Sequence, residues 1–208
     1  MQAIWYPRFG PAAECLQFGD WDAPVPGPGE VLVRLHTSGV NPSDVKKRAG
    51  ITLPDLLADG PVIPHSDGAG VIEAVGPGVS AARIGERVWV YNAQHRRRFG
   101  TAAQKVALPA RFAVPLPDAV EFAIGAGLGI PAMTAHRAVT IAGPVADCTL
   151  LVTGGAGRVG HYAIQFAKLA GARVIATAGS DASRVTKWPP SMPCSRQACP
   201  PYQGPMAP

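Results

Sequence analysis

The stretch of this sequence with the clearest chemical meaning is rich in glycine and lies between an apolar run and a helix-like pattern. Gly154 or Gly155 allows a tight turn, Gly157 lets the backbone approach a pyrophosphate, and Gly160 lets a following helix pack closely on a sheet. A helix that begins here offers free N–H groups and the positive end of its dipole to phosphates. The predicted dinucleotide-binding residues are Gly154, Gly155, Ala156, Gly157, Arg158, Val159 and Gly160. The alternative is a plain turn between a strand and a helix.

The residues after the next apolar run indicate which dinucleotide this site takes. NAD sites usually place Asp or Glu at the end of the second strand, where the carboxylate binds the ribose 2′-hydroxyl. Here the run Arg173–Thr177 leads to Ser180, and Arg184 lies just beyond it. A small hydroxyl and a cation suit a 2′-phosphate, so the sequence favours NADPH over NAD. Asp181 counts against this choice, although we expect it to lie past the strand end.

The elements around the glycine-rich stretch predict one β-α-β unit. The run Leu150–Thr153 has the short, uninterrupted apolar character of a buried strand, and Arg173–Thr177 predicts a second strand. Between them, apolar residues recur at helical spacing and Gly171 supplies the helix stop. The Ala-rich segment around Pro131–Ala138 is typical of a further helix, which Gly143-Pro144 would end.

The first part of the chain has a different organisation, with short apolar runs separated by Gly/Pro turns. Short strands at fairly even spacing, divided by turn signals, predict a β-sandwich or a β-barrel. The runs are Val31–Leu35, Gly70–Val75, Arg87–Tyr91 and Val114–Pro117.

Composition excludes several classes of protein. The 208 residues are 47% hydrophobic and 16% charged, which is enough apolar material for a core and unlike a globally disordered chain. No apolar stretch approaches the roughly 20 residues of a membrane span, and four scattered cysteines do not predict a disulfide framework. The formal net charge of +5 is too small to predict nucleic-acid binding without clustering, and we interpret the one basic run, His95–Phe99, as a solvated loop near the cleft. These features predict a cytoplasmic protein with no membrane and no nucleic-acid partner.

Several ordered motifs together resemble the medium-chain dehydrogenase/reductase superfamily. Within it, the Gly39–Pro42 and Gly129–Pro131 motifs and the nucleotide loop are similar to the zinc-independent quinone oxidoreductases, the zeta-crystallin-like branch. The motifs of the superfamily are Pro26–Val33, Gly39–Asp44, Asp67–Gly76 and Gly85–Val88. The resemblance covers roughly residues 1–184.

The resemblance implies an α/β plus β architecture with two domains. A GroES-like β-barrel domain for substrate and catalysis is expected over residues 1–123, and a partial Rossmann domain, a doubly wound parallel sheet that binds NADPH, over residues 124–185. The high proline content of residues 186–208, without any periodicity, predicts a disordered tail there. A full Rossmann domain needs on the order of 100 further residues, so we expect a truncated, frame-shifted or mispredicted product whose native-like sequence ends around Val185. The active site would lie in the cleft between the two domains.

The resemblance also assigns roles to individual side chains. Asn41 is expected near the nicotinamide and the substrate, with Asp44 and Arg48 in a supporting polar network and Thr134 holding the nicotinamide. Alternatives with no catalytic role remain open. Asn41 could belong to a turn, Asp44 could be a helix N-cap, and Thr134 could bond back along its helix.

Zinc chemistry is not expected, because the positions where zinc-dependent relatives carry their ligands hold unsuitable side chains. Catalytic zinc needs three protein ligands from Cys, His and carboxylate. The relatives' ligand positions fall at Asn41, Ser66 and Leu128, and His65 is one residue away from such a position. The cysteine cluster of a structural zinc lobe is also missing between Asn92 and Gly100.

The function implied is zinc-independent transfer of a hydride from NADPH to a quinone or a similar activated carbonyl. Such an acceptor is itself electron-poor, so the protein mainly aligns the nicotinamide with the acceptor and supplies hydrogen-bond donors in a dry cleft. One alternative is an NADPH-dependent enone or enoyl reductase on the same scaffold, and another is a non-catalytic truncated remnant. Full-length relatives are expected to form homodimers.

Overall fold

The computed structural model of the protein describes residues 1–179. The chain divides into two compact units, Met1–Ile130 and Pro131–Pro208, and the description of the second ends at residue 179. The division comes later in the chain than the predicted boundary after residue 123. The predicted tail over residues 186–208 lies outside the described residues.

The first unit is built mainly from antiparallel strands. Five of them form one sheet in the order β6-β3-β4-β5-β7, and β1 pairs with β2 in a separate antiparallel ribbon. The strands are β1 (Gln2–Trp5), β2 (Gln17–Asp20), β3 (Glu30–Gly39), β4 (Asp67–Val75), β5 (Arg87–Val90), β6 (Lys105–Pro109) and β7 (Ala113–Pro115). The helices are α1 (Ala12–Cys15), α2 (Pro42–Arg48) and α3 (Phe122–Gly125), with short 3-10 turns at Pro54–Leu57, Ala81–Arg83 and Ala110–Phe112.

The core of this unit lies on one face of the five-stranded sheet and consists largely of valine. β-branched side chains suit this surface because they pack well on a pleated sheet. The buried members are Val31, Val33, Ile72, Val88, Val90, Val106, Leu108, Phe112 and Ala113. Four predicted strands are confirmed, each end lying within four residues of its predicted position, and β6, which supplies Val106 and Leu108, was not predicted.

The second unit contains the predicted β-α-β arrangement. A wide turn that includes Pro131 leads into α4 (Met133–Thr140), and β8 (Thr149–Val152), α5 (Arg158–Leu169) and β9 (Arg173–Ala176) follow. β8 and β9 pair in parallel. α4, α5 and the residues that precede the two strands supply one apolar core: Ala135, Val139, Val145, Ala163, Ala167 and Ala172. Leu150 and Val152 of β8 and Val174 of β9 pack against it.

Gly171 has a φ of +84°, which allows the chain to leave α5 and enter β9 directly. In the described part of the chain, no helix combines the length and the apolar character that a membrane span requires.

Candidate active site

The glycine-rich loop of the second unit begins with a left-handed residue and ends in the first turn of α5. Gly154 has a φ of +67°, so it is the glycine that makes the tight turn after β8. Gly157 is extended and immediately precedes the helix. Gly154, Gly157, Arg158 and Val159 are exposed, so this end of the helix is open to solvent in the described chain. The first-turn N–H groups of a helix have no partner within it and favour an anion.

The other two glycines hold the loop against its neighbours. A Cβ on Gly160 would lie 2.2 Å from the Gly154 carbonyl oxygen, a distance that no side chain can adopt. A Cβ on Gly155 would lie 2.9 Å from the Cβ of Ala176 on β9. The close packing of helix, loop and strand therefore depends on the absence of side chains at Gly155 and Gly160.

Thr177 fixes the same loop from the end of β9, and the sequence reasoning gave it no such role. The Gly154 N–H donates to the Thr177 hydroxyl oxygen at 3.0 Å, and the Gly155 N–H donates to the Thr177 carbonyl at 2.7 Å. The sequence shows a hydroxyl at the end of the second strand. It does not show that the hydroxyl accepts a hydrogen bond from Gly154, because the two residues are 23 positions apart in the chain.

Apart from Asn41, four other residues were predicted to bind the cofactor, and the structure describes two of them, Thr134 and Ala156. Thr134 is exposed on α4, and Ala156 is half-buried in the loop. Ser180 and Arg184 lie outside the described residues, so their predicted contact with a 2′-phosphate stays a prediction.

In the first unit, Asn41 is buried, with 4% of its surface exposed, and it begins α2. Its Nδ2 donates to Oδ2 of Asp67 at 2.8 Å. Its backbone N–H donates to Oδ2 of Asp44, also at 2.8 Å. Asn41 is therefore the cap of α2 and Asp44 its partner three residues later, so the alternative that made Asp44 the N-cap was wrong.

Asp67 is fully buried at the start of β4, and its carboxylate accepts the hydrogen bond from the Asn41 side chain. Burial raises the pKa of its carboxyl to about 6, against hydrogen bonds from the Ile130 N–H and from Asn41, which lower it. The Ile130 N–H donates at 2.7 Å to the oxygen that Asn41 also contacts. The other oxygen, Oδ1, has no hydrogen-bond partner in the described chain.

Asp44 and Arg48 do not form the ion pair that a direct network would contain. Within residues 1–179 no such pair is present, and the Arg48 guanidinium donates to the Gly10 carbonyl. The Tyr6 hydroxyl has no hydrogen-bond partner in the described chain. Burial and the Asp44 charge raise the pKa of Tyr6 to about 12, and the Arg48 charge opposes this rise. Burial also raises the pKa of Asp44.

A cleft of about 660 Å³ opens within the first unit beside α2. The cleft is lined by short polar side chains and by charged ones. Lys47 is one of the α2 residues in this lining. The polar and charged lining residues include Ser43, Lys47, Ser66, Gln94, Arg96 and Arg98. Lys47 could not be singled out from the sequence, because nothing in a pair of neighbouring lysines shows which of them points inward.

The basic run His95–Phe99 borders this cleft within the first unit, and one of its members has a structural role. Arg97 forms an ion pair with Glu30, with 2.6 Å between its Nη1 and Oε1. It also donates to the Ala107 carbonyl on β6. Arg98 donates to the Pro61 carbonyl at 3.2 Å. His95 and Arg96 line the cleft with them.

The positions of the zinc ligands in relatives hold neutral side chains with other partners here. The Asn41 amide contacts Asp67, and the Ser66 hydroxyl accepts a hydrogen bond from Lys47. His65 has a φ of +76°, and its Nδ1 lies 2.9 Å from the Ser38 hydroxyl. Across residues 1–179, no group of three or more His, Cys, Asp or Glu side chains is placed to hold a metal ion.

Comparison with protein families and known proteins agrees with this arrangement. Residues 27–118 match the alcohol dehydrogenase GroES-like domain. The chain is 36% identical over 186 residues to the chloroplast envelope quinone oxidoreductase homolog of Arabidopsis thaliana, covering 86% of this chain and 56% of that protein. It thus spans about half the length of the curated relatives it matches.

Two solved structures show the same fold. The quinone oxidoreductase from Coxiella burnetii superimposes with a TM-score of 0.80 at 29% identity, over 88% of this chain and 57% of that one. The quinone oxidoreductase from Thermus thermophilus, solved alone and in complex with NADPH, gives a TM-score of 0.70 at 29% identity, over 87% and 54%. The predicted fold, a GroES-like domain followed by a partial Rossmann domain, is confirmed.

Proposed function

Because the chain belongs to the quinone oxidoreductase branch of the medium-chain dehydrogenase/reductase superfamily, we propose that it acts in the transfer of a hydride from NADPH to a quinone or a similar activated carbonyl. The observation that carries the proposal is the loop between β8 and α5. Its glycines turn the chain tightly and pack it on the helix, and Arg158 and Val159 of the first helical turn are exposed. That arrangement suits a pyrophosphate.

The residues that would hold NADPH fall into two groups. The pyrophosphate would contact the loop and first turn: Gly154, Gly155, Ala156, Gly157, Arg158, Val159 and Gly160. Thr134 and Asn41 would contact the nicotinamide, and Ser180 and Arg184 the 2′-phosphate. The NADPH complex of the Thermus thermophilus protein supports this cofactor.

We propose that the reaction needs no zinc. Bound NADPH supplies the hydride and its electron pair, and a quinone is electron-poor enough to accept them without a strong Lewis acid. The Asn41 amide is held by Asp67, and the ammonium of Lys47 lies beside Ser66. Neutral ligands and a fixed cation both oppose the binding of a divalent metal at these positions. A cytoplasmic location and a homodimer stay predictions.

Titration of the purified 208-residue chain with NADPH, followed by nucleotide fluorescence, tests the proposal. We expect saturable binding, and oxidation of NADPH when benzoquinone is added. An acceptor swap to a simple enone distinguishes an enone reductase, which would turn over the enone faster than the quinone. No binding at millimolar NADPH would contradict the proposal and would favour a non-catalytic remnant.

Replacing Thr177 with valine is expected to weaken NADPH binding, because the variant keeps the shape of the side chain and removes the acceptor of the Gly154 N–H. A hydrogen bond of this kind contributes about 0.5–1.5 kcal/mol, so the dissociation constant should rise roughly 2- to 10-fold. Fluorescence titration measures it. Thr177→Ser keeps the hydroxyl and serves as the control; equal affinities of the two variants would show that the hydroxyl does not position the loop.

A further inference from the structure

The cleft beside α2 contains a charged group that neither the family comparison nor the predicted site assigns. Lys47 is half-buried, and its Nζ donates to Gln94 Oε1 at 3.2 Å and to Ser66 Oγ at 3.4 Å. Both acceptors are neutral and both bonds are long. Within residues 1–179 no carboxylate forms an ion pair with Lys47. An ammonium has three N–H donors, so one stays available to a molecule in the cleft.

The surroundings of Lys47 explain why the charge is kept and why it is costly. A partly buried ammonium without a carboxylate in contact loses hydration that neutral hydrogen bonds only partly replace. Burial lowers the pKa of Lys47, and the charges of Asp44 and Asp67 raise it. These two carboxylates therefore hold a proton on Lys47 from a distance without occupying its donors.

Ser43 lies one turn earlier on α2 and also lines the cleft. Its hydroxyl oxygen is buried and has no hydrogen-bond partner in the described chain, so it is not a donor open to the cleft. The cleft thus holds a cation with a free donor, which suits an oxygen that gains negative charge, and its lining also includes the carboxylates of Asp55 and Asp59.

We propose that the Lys47 ammonium binds the carbonyl oxygen of the acceptor and donates its proton to that oxygen during reduction. The proposal deepens the proposed function and rests on it. As the hydride forms its bond to the quinone, one quinone oxygen becomes negatively charged. The Lys47 N–H bond then breaks and an O–H bond forms, which gives the neutral hydroquinone, NADP⁺ and a neutral amine. The amine regains a proton from water in the open cleft.

The substitution Lys47→Met, which removes the charge and keeps the length of the side chain, tests this role. Removing a donor to a developing oxyanion costs on the order of 10²-fold in kcat, so we expect kcat for benzoquinone to fall about 10²-fold with a smaller change in KM. Lys46→Met is the matched control: Lys46 is the neighbouring residue on the same helix, is exposed and does not line the cleft. Its kcat should stay within about twofold of the unmodified chain.

A binding measurement separates this proposal from the proposed function. The probe is 4-nitrophenolate, an aromatic oxyanion whose absorbance reports its ionisation, titrated without NADPH. Lys47→Met should weaken its binding at least about tenfold, Lys47→Arg should keep most of it, and Lys46→Met should leave it unchanged. Lys47→Gln, with a melting temperature measured beside it, replaces Lys47→Met if the methionine variant does not fold.

The outcomes distinguish the two claims. If the unmodified chain does not oxidise NADPH with any quinone, the proposed function fails. The binding of an oxyanion by Lys47 is then tested by the nitrophenolate titration alone. If the unmodified chain does not bind nitrophenolate, or if Lys47→Met binds it within about twofold of the unmodified chain, Lys47 does not bind the acceptor oxygen. If Lys47→Met still binds nitrophenolate, Arg96 or Arg98, which line the same cleft, would hold the anion.

Discussion

Replacing Gly160 with valine should abolish measurable NADPH binding by the chain and lower the thermal stability of its second unit. The β-carbon would meet the Gly154 carbonyl oxygen at 2.2 Å and the Gly155 Cα at 2.9 Å. Both neighbours belong to backbone, so no side-chain rotation can relieve the contact. Either the loop moves away from the helix or α5 moves away from β8 and β9, and both movements take the first-turn N–H groups out of position for a pyrophosphate.

The expected size of the effect follows from the same geometry. Overpacking of this kind costs about 1–3 kcal/mol of stability, and displacement of the phosphate-binding N–H groups should raise the dissociation constant of NADPH at least about 100-fold. Fluorescence titration and circular dichroism melting measure the two effects.

A glycine with room around it provides the control for Gly160→Val. Gly27 has no left-handed φ, and a Cβ there would have as its nearest neighbour the Glu30 carboxylate at 3.5 Å, the end of a flexible side chain. Gly27→Val should leave NADPH binding unchanged. If Gly160→Val bound NADPH within about threefold of the unmodified chain, the loop would not be the cofactor site.

The nucleotide loop could be predicted from sequence because its signals are local. The strand, the glycines and the helix all lie between Thr149 and Leu169, and each glycine's task depends on neighbours a few residues away. Gly160 contacts Gly154, for example. The sequence left Gly154 and Gly155 as alternatives for the turn, and only the backbone dihedral of Gly154 distinguishes them.

The parts that could not be predicted depend on contacts between distant residues. β6 pairs with β3 across about 70 residues or more, from Glu30↔Pro109 to Arg34↔Lys105, and its own run of five residues carries little pattern. β3 itself continues past the predicted Leu35 to Gly39, because irregular pairing with β4 lets the ladder pass through polar residues that break the apolar alternation.

The same limit applies to the cleft. The resemblance pointed to Asn41, Asp44 and Arg48, which share one short helix and its start. It could not show that Asn41 is held by Asp67 on β4, or that the inward lysine is Lys47. Those facts depend on how α2 lies against β4 and the loop around Gln94, and a linear pattern contains no information about that placement.

Asp67→Asn should remove a pH dependence from the stability of the first unit. Burial raises the pKa of Asp67 in the folded chain to about 6 from an ordinary value of 3.8. Between these values the folded state binds more protons than the unfolded state, so stability falls as pH rises. The contribution of the protonated carboxyl is fully present below about pH 4 and is lost as pH passes through about 6. The shift corresponds to about 3 kcal/mol at about pH 7 and above.

Asparagine keeps the shape of the carboxyl, and its carbonyl oxygen can accept from the Ile130 N–H and the Asn41 amide. Its amide group takes the place of Oδ1, which has no partner in the described chain, and the cost of that unpaired group does not depend on pH. We expect the free energy of unfolding of the variant, relative to the unmodified chain, to increase by about 2.4 kcal/mol between about pH 4 and pH 7. Asp44 and His65 remain in both proteins, so the difference between the two curves isolates Asp67 and its coupling to Asp44.

Urea unfolding at a series of pH values measures this difference, with tryptophan fluorescence as the signal, because three of the four tryptophans, Trp5, Trp21 and Trp89, lie in the first unit. Asp118→Asn is the control, since that carboxylate is 98% exposed, and its curve should run parallel to that of the unmodified chain. If the difference in the free energy of unfolding between Asp67→Asn and the unmodified chain stayed constant from about pH 4 to pH 7, Asp67 would titrate normally. An increasing gap would mean that the fold accepts a destabilising buried carboxylate in order to hold Asn41 in place at the start of α2.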